Sequence, residues 1–230
     1  MANFLAEHYN VVLLIEEVRQ ISVNYQTRAA LDDKVAAYEQ KLWFKKETPE
    51  FKVANHLKLL NCNQPEGIEA LTKAAPDIII ALGVGRLDAP LLNLAPRSVI
   101  NVVATDTEHY SGLDTVYWAA FHGDFSNMAA CINLILPERQ WGSKILKYHY
   151  TPSKKTSLIE LRSLFTERAL TAIDHSLSMY SHFGQFISQP QNYQGRFYYF
   201  MPAVLKDTLE LKFDQWLGNY WEAKTKKRMR

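Results

Sequence analysis

Four largely apolar runs, Tyr9–Ile15, Ile78–Leu82, Val99–Val103 and Met128–Leu136, constrain this chain more than any other feature. Their length and lack of polar alternation fit strands buried on both faces. A shorter strand-like stretch, His56–Leu60, precedes the turn-forming run Asn61–Gly67. Helical patterns lie between these runs. Residues 28–45 place Leu31, Val35, Ala36, Tyr38 and Leu42 at roughly helical spacing, punctuated by Pro49-Glu50. Ile68–Ala75 and a turn beginning at Pro90 follow, then Asp114–His122 with Gly123 as its cap. Buried strands alternating with helices predict an α/β fold: a Rossmann-like three-layer domain with a mainly parallel sheet. Function gathers at the carboxyl ends of such strands, here the loops after Leu82 and after Val103.

Beyond residue 150 the pattern becomes helical. Leu158, Leu161, Leu164, Phe165, Ala169, Ile173, Leu177 and Tyr180 form one stripe over 158–187. A loop at Ser188–Gly195 leads to the aromatic stretch Arg196–Met201, then a helix over Leu205–Trp216 and a basic tail, Lys224–Arg230. The expected organisation is an α/β domain over 1–150 and a mostly helical extension over 151–230.

Composition narrows the function classes. Twenty-six Lys and Arg against 24 Asp and Glu give a net charge of +2, so nucleic acid is not expected as a partner. Two cysteines, Cys62 and Cys131, cannot form a zinc site or a disulfide framework alone, and no metal is expected. No apolar run approaches the roughly 20 residues that span a bilayer, so no membrane partner is expected. Met1–Gln20 lacks the layout of a signal peptide, which predicts a cytoplasmic protein.

The order of landmarks from Asn61 to Leu146 is more specific than a generic α/β pattern. Pro76-Asp77-Ile-Ile-Ile80 leads to Gly83-Val-Gly-Arg-Leu87, then Ile100-Asn101-Val-Val103 and Tyr110-Ser-Gly112. Trp118-Ala119, Gly123-Asp124 and Gln140-Trp-Gly142 continue the series. This order resembles the catalytic domain of the folate-dependent formyltransferases, which act on methionyl-tRNA, glycinamide ribonucleotide or nucleotide-linked sugars. The resemblance covers roughly residues 3–150. It implies a one-carbon transferase that takes a formyl group from 10-formyltetrahydrofolate to the amine of a small acceptor, a nucleotide-linked amino sugar being favoured. Gly83, Val84, Gly85, Arg86 and Leu87, with Trp141 and Gly142, would then line the folate pocket.

Departures from the family bear on catalysis. Its chemistry uses an Asn that donates to the developing formyl oxyanion, a His two residues later and an Asp in the later loop. The Asn is Asn101, whereas the His position is Val103 and the Asp position is Gln140. Valine cannot move a proton, and glutamine carries no charge. The family's first strand and glycine loop also have no counterpart, since Ala2–His8 reads as the end of the helix that follows them. A neighbouring element filling the gap, a homo-oligomer or second chain completing the sheet, or a natural start upstream of Met1 is one expected consequence. Impaired or lost catalysis is another, with a non-catalytic ligand- or protein-binding pseudoenzyme as the alternative.

A third possibility arises in the loop that lacks the family His. Asp106, Glu108 and His109 supply two carboxylates and an imidazole there, which could serve a divergent enzyme. A solvated loop competes with that reading, because neighbouring loop positions rarely converge on one point. Phe197–Phe200 with Tyr193 could stack on a base or sugar, and a half-buried strand explains the run at least as well. Trp141 could cover the pocket or simply pack. His122 reads as a partner of its helix end.

Overall fold

A computed structural model describes residues 1–18, 22–45, 50–137 and 139–228. Helix α1 (Ala2–His8) leads to strand β1 (Leu14–Glu17), helix α2 (Ala30–Phe44) and strand β2 (His56–Leu59). Helix α3 (Pro65–Ala74), β3 (Ile79–Leu82), α4 (Ala89–Leu92) and β4 (Val99–Thr105) follow. Then come β5 (Tyr110–Gly112), α5 (Thr115–Phe121), β6 (Met128–Leu136) and β7 (Arg139–His149). The chain closes with α6 (Leu161–Phe183), β8 (Gln189–Pro190), β9 (Arg196–Tyr198) and α7 (Ala203–Arg228).

The strands form three sheets in the orders β1-β2, β3-β4-β6-β7-β8 and β5-β9. β1 runs parallel to β2 and β3 parallel to β4, as expected for strands joined by helical crossovers. β6 and β7 then pair antiparallel, β6 against β4 and β7 against β6. The β1-β2 sheet and the five-stranded sheet share no strand pairing among the described residues. A cavity of about 490 Å³ lies between β1 and β3.

Side-chain alternation assigns the faces of the long sheet. Ile100, Val102, Ala130, Ile132 and Leu134 turn one way and pack on Ala169, Ala172, Ile173 and Leu177 of α6. Leu31 and Val35 of α2 share a core with Phe125, Leu209, Phe213 and Leu217, so α7 is built into the same body. Lys206 of α7 is buried and holds it there: Nζ donates to Asp32 at 2.9 Å and lies 3.6 Å from Asp114. Helix α6 stops at Gly184, whose φ of 67° supplies the left-handed cap.

Several expected boundaries move. The Tyr9–Ile15 run is strand only from Leu14, and the pairing continues to Glu17. The last helix runs past Trp216 to Arg228 and takes in most of the basic tail. Pro49, Met229 and Arg230 lie outside the described residues. The segment expected to be a loop around Gly142 is the start of β7. Gly142 has a φ of 76°, and a Cβ there would lie 2.7 Å from the Leu134 carbonyl oxygen, an approach that only glycine permits. The aromatic run gives only a three-residue strand, β9, paired to β5.

Candidate functional site

The opposite face of the long sheet carries a polar patch beside the apolar cluster of Val99 and Ile135. Asn101 stands across from Asn133, Val103 across from Cys131, and Cys131 across from Lys147. Cross-strand partners share a face, so these side chains form one patch at the carboxyl end of β4. Asn133 is buried and accepts from Thr107 Oγ1 at 3.4 Å. Ala81 pairs with Asn101, which brings the Gly83–Leu87 loop to the same edge of the sheet.

The loop after β4 folds onto this patch. Lys147 Nζ donates to Asp106 Oδ2 at 2.6 Å, and Lys144 Nζ donates to Glu108 Oε2 at 2.7 Å. The Asn192 backbone N–H donates to Glu108 Oε1 at 2.8 Å and fixes the loop to the segment before β9. Burial would raise the Asp106 pKa, but the Lys147 hydrogen bond and the Glu108 backbone N–H outweigh it and hold the carboxyl below its ordinary range. Glu108 is lowered by the Lys144 hydrogen bond and the Asn192 N–H. Both carboxylates are thus held ionised and engaged. His109 is 43% exposed at the rim, with Nδ1 3.7 Å from Asp106 Oδ2. Cys131 is buried beneath the patch; desolvation and the Asp106 charge push its thiol up to about 12. That thiol is no nucleophile near neutral pH.

The Asp106–Glu108 stretch is therefore a shielded, ion-paired element rather than a solvated one, with His109 exposed at its rim. Among the described residues no group of three or more His, Cys, Asp or Glu could hold a metal. Sequence reasoning missed Lys144, Lys147, Asn133 and Asn192. Leu146-Lys147-Tyr148 does carry the period-two signature of a strand, with Leu146 and Tyr148 on the α6 face.

The Gly83–Leu87 loop is open. Gly83 has a φ of 64°, and a Cβ there would meet nothing within 4 Å. Asn63 clamps the far end: its Nδ2 donates to the Arg86 carbonyl at 2.7 Å and its Oδ1 accepts from the Asp88 N–H at 2.9 Å. Arg86 Nε lies 3.7 Å from Asp88. Val84 and Leu87 line the large cavity, which extends between β1 and β3 away from Asn101. The backbone of Gln140 and Trp141 is in β7, whereas their side chains lie outside the described residues.

The aromatic run divides by alternation. Tyr198 turns in and stacks on Tyr110, with ring centroids 5.6 Å apart, and its hydroxyl lies 3.2 Å from His122 Nε2. Tyr193, Phe197 and Tyr199 are exposed. Trp118 of α5 ties this edge down by donating from Nε1 to the Tyr199 carbonyl at 2.8 Å.

No family model matches the chain. A methionyl-tRNA formyltransferase from Desulfotalea psychrophila is 42% identical over 60 residues. The match spans 26% of this chain and 19% of that enzyme, about a fifth of its length. Among solved structures, the formyltransferase PseJ from Anoxybacillus kamchatkensis superposes with a TM-score of 0.54 at 14% identity, covering 79% of this chain and 88% of PseJ. The chain is formyltransferase-like. HypX from Aquifex aeolicus, solved with tetrahydrofolic acid, also matches this formyltransferase-like chain, with a TM-score of 0.51 at 14% identity over 84% of this chain and 33% of HypX. PseJ was solved with tetrahydrofolate and a UDP-linked formamido sugar. At these identities the structural matches establish the fold of the formyltransferase-like chain. No helix among its described residues is long and apolar enough to cross a membrane.

Proposed function

We propose that this formyltransferase-like chain binds a reduced folate, 10-formyltetrahydrofolate, beside Asn101 and the Gly83–Leu87 loop, with formyl transfer slowed or lost. The ligand complexes of PseJ and HypX support the folate class, and the PseJ sugar supports a nucleotide-linked amino sugar as acceptor. The open space at Gly83 leaves room for one face of a flat pterin ring. When bound, the folate supplies the formyl group. Asn101 then serves as the hydrogen-bond donor to the formyl oxygen.

One observation carries the slowed chemistry. Val103 lies on the Asn101 face of β4, where proton transfer from the amine would be needed, and the nearby carboxylates of Asp106 and Glu108 are committed to Lys147 and Lys144. Losing acid–base help lowers rates by about 10²–10⁴-fold. A small-molecule ligand and a second polypeptide at the open sheet edges are the partners on this reading. A cytoplasmic location accords with two buried, unbridged cysteines.

Titration with 5-formyltetrahydrofolate tests the pocket. Saturable binding is expected, and none at millimolar ligand removes the folate reading. The double variant Val103→His/Gln140→Asp is expected to gain about 10²-fold or more in formyl transfer. A double variant that binds folate and acceptor yet stays inert overturns the claim that these two positions account for the loss. A second reading, a divergent enzyme, is favoured only by the Asp106–His109 contact. It requires that Asp106→Asn and His109→Ala each abolish whatever activity the wild type shows.

A further inference from the structure

Asn101 and Asn133 are direct partners across the β4–β6 pair, and their side chains share the polar patch. Directly opposed residues of an antiparallel pair have Cβ atoms about 4.5–5.5 Å apart, close enough for two carboxamides to reach one atom. Asn133 is 1% exposed, and its Oδ1 accepts from Thr107 Oγ1 at 3.4 Å. Its Nδ2 has no hydrogen-bond partner among the described residues, and the Asn101 carboxamide has none either. A buried donor without a partner is costly, so two neighbouring carboxamides left open at the carboxyl end of β4 point to a ligand.

The surroundings narrow the kind of ligand. The Thr107 backbone N–H donates to Cys131 Sγ, so Thr107 stands on the Cys131 side of Asn133 and its hydroxyl draws Oδ1 that way. Nδ2 is thereby turned to the opposite side. Gly142 leaves Asn133 uncovered, since a Cβ there would lie 3.1 Å from the Asn133 Cβ. Across β7 stands Lys144, which has no acceptor to offer and is committed to Glu108 at 2.7 Å. Lys147 is likewise paired with Asp106, so both cations of the patch are neutralised and the open donors are two uncharged amides. That balance suits a neutral oxygen rather than an anion, and a carbonyl oxygen has two lone pairs for two donors.

We propose that Asn133 is a second donor to the formyl oxygen of the bound folate, its Nδ2 and that of Asn101 each donating one hydrogen bond. The proposal rests on the folate reading and on the place of Asn101 in it. Thr107 acts through Asn133 as a positioning residue, because its hydroxyl fixes which end of the amide meets the ligand.

The probes are 10-formyl-5,8-dideazafolate and its parent without the formyl group, each titrated into the full chain by calorimetry. The wild type is expected to prefer the formyl compound, each donor contributing about two- to tenfold. Asn133→Leu, similar in shape and without donors, is expected to lower that preference about two- to tenfold while affinity for the parent stays unchanged. Asn133→Asp keeps an acceptor and loses the amide donors, and it is expected to lose at least as much. Thr107→Val is expected to lower the preference by less than Asn133→Leu. The parent compound separates the two readings. Binding of neither probe by the wild type overturns the folate reading and this proposal together. Binding of the parent with no formyl preference, or with the preference intact in Asn133→Leu or Asn133→Asp, overturns this proposal alone. Equal loss of both probes in Asn133→Leu marks a merely structural side chain and overturns it too.

Discussion

Lys147 reaches over Cys131 to hold Asp106 at 2.6 Å, on the sheet face that also carries Asn101 and Val103. Asp106 is 3% exposed and Lys147 26% exposed, so the pair is shielded on the carboxylate side. Together with the Lys144–Glu108 pair, this contact ties the loop after β4 to β7 and engages both of its carboxylates.

Breaking that pair is expected to be costly, most of all where it strands the buried carboxylate. Lys147→Met should lower unfolding free energy by about 3 kcal/mol, and Asp106→Asn by less, because Lys147 is partly exposed and its charge reaches water. The double variant should recover more than half of the summed loss. Denaturant unfolding of all four proteins measures the coupling, and strict additivity would falsify a direct interaction.

The acid limb of stability should carry the same signature. Asp106 and Glu108 have folded pKa values below their unfolded ones, so their contribution is complete above about pH 4–5 and is lost as pH falls through the folded values. Lys147 loses hydration on burial, but Asp106 raises its pKa overall. Its contribution therefore persists below the ordinary lysine pKa, about 10.4, and fades only as pH rises through the folded value. Unfolding free energy measured from pH 2 to 6 should fall less steeply in Asp106→Asn than in the wild type.

Both cysteines should resist thiol reagents until the chain unfolds. Burial and the neighbouring Glu17 push Cys62 up to about 11, and Cys131 reaches about 12. At pH 8 a thiol at 11 is about one-thousandth ionised, and one at 12 less. A timed reaction with an aromatic disulfide should show no fast phase in buffer and two equivalents in denaturant.

Two glycines with positive φ should behave differently. In Gly112→Ala the new Cβ would fall 2.1 Å from the Tyr198 carbonyl oxygen, so β9 must leave β5, at about 2–4 kcal/mol. Gly83→Ala meets nothing within 4 Å and carries only the backbone penalty, about 1 kcal/mol. Thermal unfolding of the two variants compares them, and equal losses would rule out the steric argument.

How much was legible in the sequence follows from the range of the forces involved. β3, β4 and β6 announce themselves because burial on both faces demands unbroken apolar runs, and Ile79–Leu82 and Met128–Leu136 leave little choice. Asn101 and Val103 share a face by the period of two alone, so the absence of a proton carrier beside Asn101 is a statement about sequence order. β7 was hidden because its start contains Gly142, whose role depends on the Leu134 carbonyl of another strand. The loop from Asp106 to His109 shows the same limit. Its charges read as solvated until Lys144 and Lys147, some 36 to 41 residues away, are brought over it by the β6–β7 pairing.

The sequence by itself determined the α/β class, the order of formyltransferase-like landmarks and that positions 103 and 140, as valine and glutamine, carry no ionisable group. Those follow from local periodicity and residue chemistry. Only the tertiary structure decided that Asp106 and Glu108 are locked in ion pairs, and that β1 and β3 face each other across an apolar slot. Charge pairing and strand adjacency act between residues far apart in the chain, and no local pattern encodes which of them meet.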